Sequence, residues 1–562
     1  MNWPMRLNVM PTTTPTAPTK IVTPIDPANL RVIIYGTFLL FFVLAWTRNV
    51  NWDEFLFLSI IHDHVGGRLT QPVQTGYVHI FGWLIAVPGD EMTRIFLGRL
   101  VMTGFFAATV FSIYRIASHL TDSVSGTIAV VAFLSSGFVL AHGTSFRADP
   151  IAAALLMGAL AFMVTSRMAT WQIAVVAVLS AAALFVTIKA ALYLPAFLAV
   201  LIWRANNIRV SIRIAVAGLL GLGVAYGLFS WHAAGLQISE LGGSVEGVER
   251  AMDKTLSGTA LFPRASTSSL WALLSIGPFC LAVLGLATCL NRRVAVLAVG
   301  FTLPLVLSVV FYRNAFPYFF PFIASPFMVI AAFGAARLGT GPVLASLVAI
   351  SVATGLGQGV KSLAEGAGVQ RETIAEVRRL FPEPVAYIDQ TAMISEYPRD
   401  LFFMSTWGIE SYRAADRPVM ASYIADAQPP FLLANRWALH QALTSPTILD
   451  HAYALFPEDQ EALRASYVHY SGVIWLAGKR IATARDVKTV QFDIFGTYRV
   501  ETAAPITING RSYQDGDLVE LGGAVQVSGA DGGEVLLIWH TSAELNFDAL
   551  PRGGVYAGFW EL

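Results

Sequence analysis

Ionisable side chains are scarce in this chain: Asp, Glu, Lys and Arg make up 13% of its 562 residues, where a soluble globular domain carries about a quarter. Together with 55% hydrophobic residues and a mean hydropathy of +0.59, this shortage makes a membrane protein the starting expectation. A charge excess of either sign is also missing, since 37 basic residues balance 37 acidic ones. Nucleic acid is therefore not an expected partner. Cysteine is nearly absent. Cys280 and Cys289 share one apolar segment and supply neither a disulfide framework nor metal-ligand spacing. Residues 1–20 are rich in Pro and Thr and lack an apolar core followed by a small-residue cleavage site. The first 30 residues or so thus read as a cytoplasmic tail, not a cleaved signal peptide. No repeat of solenoid period is visible.

What is there instead is a series of long apolar runs. A helix crosses a bilayer with about 20 mostly apolar residues. That ruler predicts eleven spans, at 32–47, 96–114, 124–142, 150–166, 171–188, 190–203, 211–230, 270–290, 294–311, 320–337 and 341–360. One alternating set of connections holds Arg115, Arg167, Arg204, Arg209, Arg213, Arg292, Arg293 and Arg337. Basic excess marks the cytoplasmic side, so the N-terminus is expected inside and, after an odd number of spans, the C-terminus outside. The outer connections include two long ones, 48–95 and 231–269. The membrane domain is expected over 31–362. Beyond it, 363–562 has ordinary soluble character. "PVAYIDQ" (384–390) and "PPFLLANRW" (429–437) read as buried strands, and the short alternating runs after 488, with "NG" and "DGD" turns, read as hairpins. The expected fold is a polytopic α-helical membrane protein with a C-terminal extracytoplasmic α/β portion followed by a β-sandwich-like module.

Ionisable residues at span ends call for a functional reading beside the structural one. On this topology Asp53 and Glu54, Arg68, Arg147 and Asp149, Lys189 and Arg313 all fall on the outer side, where basic residues run against the positive-inside rule. Four separate outer connections bring acid or base to one plane. Arg offers phosphate a planar fork and Lys a point charge, and a carboxylate beside them can take a proton from an attacking hydroxyl. Those are the parts for group transfer from a phosphorylated lipid. Each residue also has a plainer role. Asp53-Glu54 can be interfacial polarity, Asp149 a helix N-cap before Pro150, and Lys189 a snorkelling side chain. Arg264 can be a solvated residue or a substrate contact. His62, Asp63 and His64 have a metal-like composition, but residues i and i+2 do not share a helix face. Metal ligands are left unassigned and a divalent metal stays open.

In order along the chain these features resemble the GT-C superfamily of polyprenyl-phosphate-sugar-dependent glycosyltransferases, with the protein O-mannosyltransferase and lipid A aminoarabinose transferase group as the nearer likeness. The motifs are the acidic pair Asp53-Glu54 after the first span, Arg99-Leu100 opening the second, and Asp149 in "RADP". They continue with Lys189 in "TIKAALYLP" (187–195), then Arg313, Tyr318 and Pro321. The likeness covers roughly residues 30–360. It departs where members often have Lys-Pro-Pro: this chain has "TQPVQT" (70–75), with Gln71 at the Lys position and Arg68 or Arg147 as substitutes. Arg313 stands where some members have His.

The resemblance implies transfer of a monosaccharide from a polyprenyl-phosphate donor to a lipid, glycan or protein hydroxyl, with inversion, at the outer face of the cytoplasmic membrane. Asp53 would be the base, Glu54 would share or orient that role, and Asp149 would position base or acceptor. Arg147, Lys189, Arg313, Tyr318 and Arg68 would hold the donor phosphate, with Gln71, His79 and Arg264 as further substrate contacts. Three rival readings are a transporter, which should show repeated halves and broken helices at mid-membrane, a polymerase or ligase of undecaprenyl-diphosphate glycans, and a non-catalytic glycan-assembly protein.

Overall fold

The computed structural model describes residues 26–69, 75–236, 261–290, 293–399, 401–402, 404–551 and 553–557. Helices occupy the chain up to Ala364, and helices and strands alternate after it. Seven helices are long and apolar enough to cross a membrane, and an eighth counts if the pair Ala265–Leu274 and Ile276–Cys289, bent by 93°, is one span. The chain is thus built as a multi-pass membrane protein. All eleven predicted runs are apolar helices, but three of them, Ser123–Leu134, Thr170–Val186 and Ala295–Phe311, are short, with 12, 17 and 17 residues. The predicted run 124–142 breaks after Leu134 and resumes as Val139–His142, around Gly137 at φ +37°.

Burial sorts these helices into an inner and an outer set. Every residue from Phe320 to Ala335 is buried, so the helix Phe320–Leu338 forms the axis of the bundle. Glycines let its neighbours approach. A Cβ on Gly334 would sit 2.1 Å from the Leu281 carbonyl oxygen, and one on Gly285 2.1 Å from that of Ile330. The helix Ile208–Ala234 lies at the other extreme. It exposes Leu219, Leu220, Leu222, Val224 and Tyr226, an apolar face that only lipid would solvate without cost.

The two ends of the bundle differ in chemistry. At one end Arg204 donates to the carbonyls of Met163 (3.2 Å) and Ser166 (3.1 Å), and Arg213 to that of Met168 (3.2 Å). At the other end lie Trp52–Val65, Thr75–Phe81, the starts of Glu91–Leu120 and Ala148–Thr165, and the C-terminal region. Trp52–Val65 begins in a capping box, in which Asn51 caps the helix and Glu54 returns a bond to the Asn51 backbone N–H (2.9 Å).

The C-terminal α/β and hairpin-rich parts join in a single nine-stranded sheet. Its strands are β1 (Tyr387–Asp389), β2 (Phe431–Leu433), β3 (Tyr467–Ser471), β4 (Ile474–Ala482), β5 (Lys488–Thr502), β6 (Ile506–Ile508), β7 (Arg511–Tyr513), β8 (Leu518–Ser528) and β9 (Glu534–Trp539). The order is β1-β2-β4-β9-β5-β8-β6-β7, with β3 also on β4. Strand β4 is the joint, since its first half pairs with β2 and β3 and its second half with β9. The pair β1–β2 is parallel. Asn509-Gly510, both at positive φ, closes the β6–β7 hairpin as the "NG" dipeptide predicts.

Candidate active site

The adjacent carboxylates of Asp53 and Glu54 part company in the first turn of their helix. Glu54 turns inward. Its oxygens accept from Arg99 Nε (2.9 Å) and Nη2 (2.6 Å), from the Phe146 N–H (2.6 Å) and from the Asn51 N–H. Both side chains of the pair are 0% exposed. Arg99 also donates to the carbonyls of Arg48 (2.8 Å) and Asn49 (2.9 Å). Burial pushes the Glu54 carboxyl up, but the charge and hydrogen bonds of Arg99 overcome it and hold the pKa at about 2. With its acceptor sites taken, Glu54 ties the start of Trp52–Val65 to the second span. The shared base role expected from the sequence gives way to a structural one.

Asp53 turns the other way and forms an ion pair with Arg147. The Arg147 Nε lies 3.4 Å from Asp149, and Asp149 accepts from Lys189 Nζ at 2.8 Å. The four side chains thus make an alternating chain, Asp53–Arg147–Asp149–Lys189, drawn from three separate parts of the sequence. Burial works against the Arg147 cation, yet Asp53, then Tyr318 and Asp149, more than offset it and its pKa rises. The Tyr318 ring lies under the Arg147 guanidinium at 3.5 Å, and Phe57 flanks it at 5.4 Å. Such stacking fixes the plane of the guanidinium fork. Lys189 lies 5.2 Å over Phe319. Arg147, not Asp149, is the residue preceding the helix Ala148–Thr165, so the expected N-cap role of Asp149 gives way to its ion pairs.

Other predicted residues fall around this chain or away from it. Arg313 pairs with Glu410 of the C-terminal region. Arg264 donates to the Arg313 carbonyl (3.1 Å) and stacks on Phe316 at 4.1 Å. The structure does not bring Arg68 into the cluster: its side chain is 61% exposed and paired with Asp63. His79 bonds His232 at 2.9 Å, with the His64 ring 4.7 Å away, in a separate histidine group. His62 faces Arg94 instead (3.4 Å). Gln71 lies outside the described residues. Among those residues no group of three or more His, Cys, Asp or Glu side chains is placed to hold a metal ion. The three carboxylates of the site are each engaged by Arg or Lys, a donor set already neutralised and a poor fit for a divalent ion.

Sequence reading missed the lid side of the site. Arg436, in "NRWALH", stacks on Trp52 at 3.5 Å, and Tyr556 meets the same indole edge-on at 6.0 Å. Burial lowers the Arg436 pKa, while Asp53 is near enough to oppose that shift. Nothing in the local pattern of a soluble stretch marks Arg436. Arg48 is different. On the predicted topology, a basic residue at the end of the first span violates the positive-inside pattern just as Arg147 and Lys189 do, and that signal was available.

No protein-family model matches the chain, and no curated protein is significantly similar to it. Solved structures do match. ArnT from Cupriavidus metallidurans, crystallised bound to undecaprenyl phosphate, superposes with a TM-score of 0.53 at 12% identity, covering 76% of this chain and 97% of ArnT. The chain shares the fold of ArnT. The oligosaccharyltransferase of Archaeoglobus fulgidus is also similar, at a TM-score of 0.47 and 12% identity over 90% of this chain and 94% of that one. Within the helical bundle, the Asp53 cluster sits at the end where the C-terminal region docks, as the contacts of Arg313 with Glu410 and of Arg436 with Trp52 record.

Proposed function

We propose that this protein is an integral-membrane glycosyltransferase that moves a monosaccharide from a polyprenyl-phosphate carrier to a hydroxyl acceptor on a lipid, glycan or protein. The observation that carries the reading is the chain Asp53–Arg147–Asp149–Lys189, with a carboxylate and two cations side by side at one end of a GT-C bundle. The undecaprenyl phosphate bound to ArnT, which shares the fold, supports the donor class. Residues 31–362 form the catalytic membrane domain and 363–562 a domain on the outer face of the cytoplasmic membrane. The basic connections at the opposite end of the bundle support this orientation.

The acceptor hydroxyl attacks the anomeric carbon from the face opposite the phosphate. The new C–O bond forms as the sugar–phosphate C–O bond breaks, which inverts the centre. Asp53 takes the hydroxyl proton, and the electron pair leaves with the polyprenyl phosphate. Arg147, Lys189 and Arg313 receive that growing charge, and Tyr318 holds the Arg147 fork in plane. Preorganised charge of this kind supplies most of the rate enhancement in such sites. Asp149 keeps Arg147 and Lys189 together between turnovers.

The test uses purified protein and synthetic polyprenyl-phosphate sugars, with release of polyprenyl phosphate as the readout. Sugar-dependent release is expected, falling by about 100-fold or more in Asp53→Asn, the scale set by loss of one preorganised group. Full transfer by Asp53→Asn would move the chemistry elsewhere, and the absence of both turnover and binding with every such donor would sink the class.

A further inference from the structure

A second cavity opens on the other side of the first turn of Trp52–Val65. It measures about 70 Å³, and Arg48, Asn49, Asn51, His142, Lys361 and Glu365 supply its polar lining. It shares no lining residue with the Asp53–Arg147–Asp149–Lys189 chain. Three distant segments are bonded together around it. The Asn49 N–H donates to the Glu365 carbonyl (2.8 Å), the Ala367 N–H to that of Thr47 (3.0 Å), and the Ala557 N–H to the Asn49 side chain (3.1 Å).

Arg48 gives this cavity its character. The residue is only 7% exposed, yet among the described residues its guanidinium makes one hydrogen bond, to Ser145 Oγ at 3.0 Å, and no ion pair within 4.0 Å. A guanidinium has five N–H donors, and a buried cation without a counter-charge is costly. The neighbouring acid, Glu54, is committed to Arg99. Glu365 on the cavity wall is paired with Lys361 at 3.8 Å. Among the described lining residues, Arg48 and Lys361 against Glu365 leave one formal positive charge in excess. Burial drives the Arg48 pKa down to about 9, with Arg99 adding to the shift and Glu54 and Glu365 only partly opposing it.

The opposite wall is apolar and faces outward. Phe138, Ala141, Leu270 and Leu274 line it. The helices behind it, Ala265–Leu274 and Pro342–Ala364, expose Leu273, Val360 and Leu363. A polar floor carrying excess positive charge beside an apolar, bilayer-facing wall suits an amphiphile, not a free ion.

We infer that this cavity binds the phosphate headgroup of a membrane lipid, with Arg48 as its charge partner and the Leu270–Leu274 wall against the first carbons of its tail. The site is separate from the one proposed for transfer and does not depend on it.

The experiment uses the full chain in phosphatidylcholine nanodiscs with a photoactivatable dodecyl phosphate, and maps crosslinks by peptide mass spectrometry. Labelling is expected in 265–274 and 358–362. It should fall about tenfold in Arg48→Gln, the effect of losing a charge-assisted hydrogen bond. Leu274→Trp, which fills the wall and keeps every charge, should reduce it similarly. Lys189→Gln should leave it unchanged. Equal labelling of wild type and both cavity variants would overturn the site. Inorganic phosphate that displaced the probe at the probe's own concentration would overturn the assignment to a lipid.

Discussion

At the scale of single residues, two neighbouring carboxylates have opposite fates because a helix turns about 100° per residue. The sequence made the pair conspicuous and the helical offset predictable, so the divergence of the two side chains was readable before any coordinates. The depth of Glu54 was not, because Arg99 comes from the next span and the Phe146 N–H from the turn before the helix Ala148–Thr165. We predict that Glu54→Gln, which leaves Arg99 buried without its counter-charge, lowers unfolding stability by about 3–5 kcal/mol, measured by thermal unfolding in detergent. The pH dependence has a definite sign. The folded pKa of Glu54 lies below its unfolded value of about 4.5. Its contribution is therefore complete above about pH 4.5 and lost as pH falls toward 2. Wild-type protein should lose stability through that window, and Glu54→Gln should show a flatter profile there.

Among elements, apolar length located helices at the predicted runs, of which seven or, with the bent pair, eight are long and apolar enough to cross a membrane. It did not register where helices break. The run 124–142 contains Ser135-Ser136-Gly137, and 270–290 contains Ser275, where the chain bends by 93°. Small polar residues inside an apolar run were the available mark of both interruptions. Close helix approach was equally hidden, because a glycine in an apolar run looks like any other until its neighbour is known. Gly334→Ala would place a methyl group 2.1 Å from the Leu281 carbonyl oxygen, and overpacking of that kind costs about 1–3 kcal/mol or more. Gly223→Ala meets nothing within 4 Å and should match or slightly exceed wild type, because Ala favours a helix interior by up to about 1 kcal/mol. Melting temperatures of the two variants, purified side by side, check this.

For the whole molecule, the two parts are joined by charge as well as by packing. Glu91, at the start of the second span, is fully buried and meets Arg378 of the helix Gly368–Leu380 at 3.0 Å. Arg378 also holds Glu396 at 2.9 Å, and Glu396 pairs in turn with Arg94. Trp407 donates to Asn314 at 3.0 Å beside the Arg313–Glu410 pair. No pattern in 363–562 announced these partners, since Arg378, Glu396 and Glu410 stand among other ionisable residues in a stretch of ordinary composition. Arg378→Gln strips Glu91 of that counter-charge and is expected to cost about 3 kcal/mol or more. Limited proteolysis should then cut between residues 364 and 400 at protease levels the wild type survives. An intact digestion pattern would show that packing alone holds the joint.

Arg147 serves Asp53 through Nη1 and Asp149 through Nε, so an anion docking on the guanidinium competes with both for its charge. Binding at Arg147 and the freedom of Asp53 to accept a hydrogen from another group are then linked through one coupling free energy, equal whichever side it is read from. A site without an anionic guest keeps the Asp53 carboxylate engaged. For the reaction proposed above, the ion pair would then act as an interlock, in which the phosphate of the donor frees the proposed base.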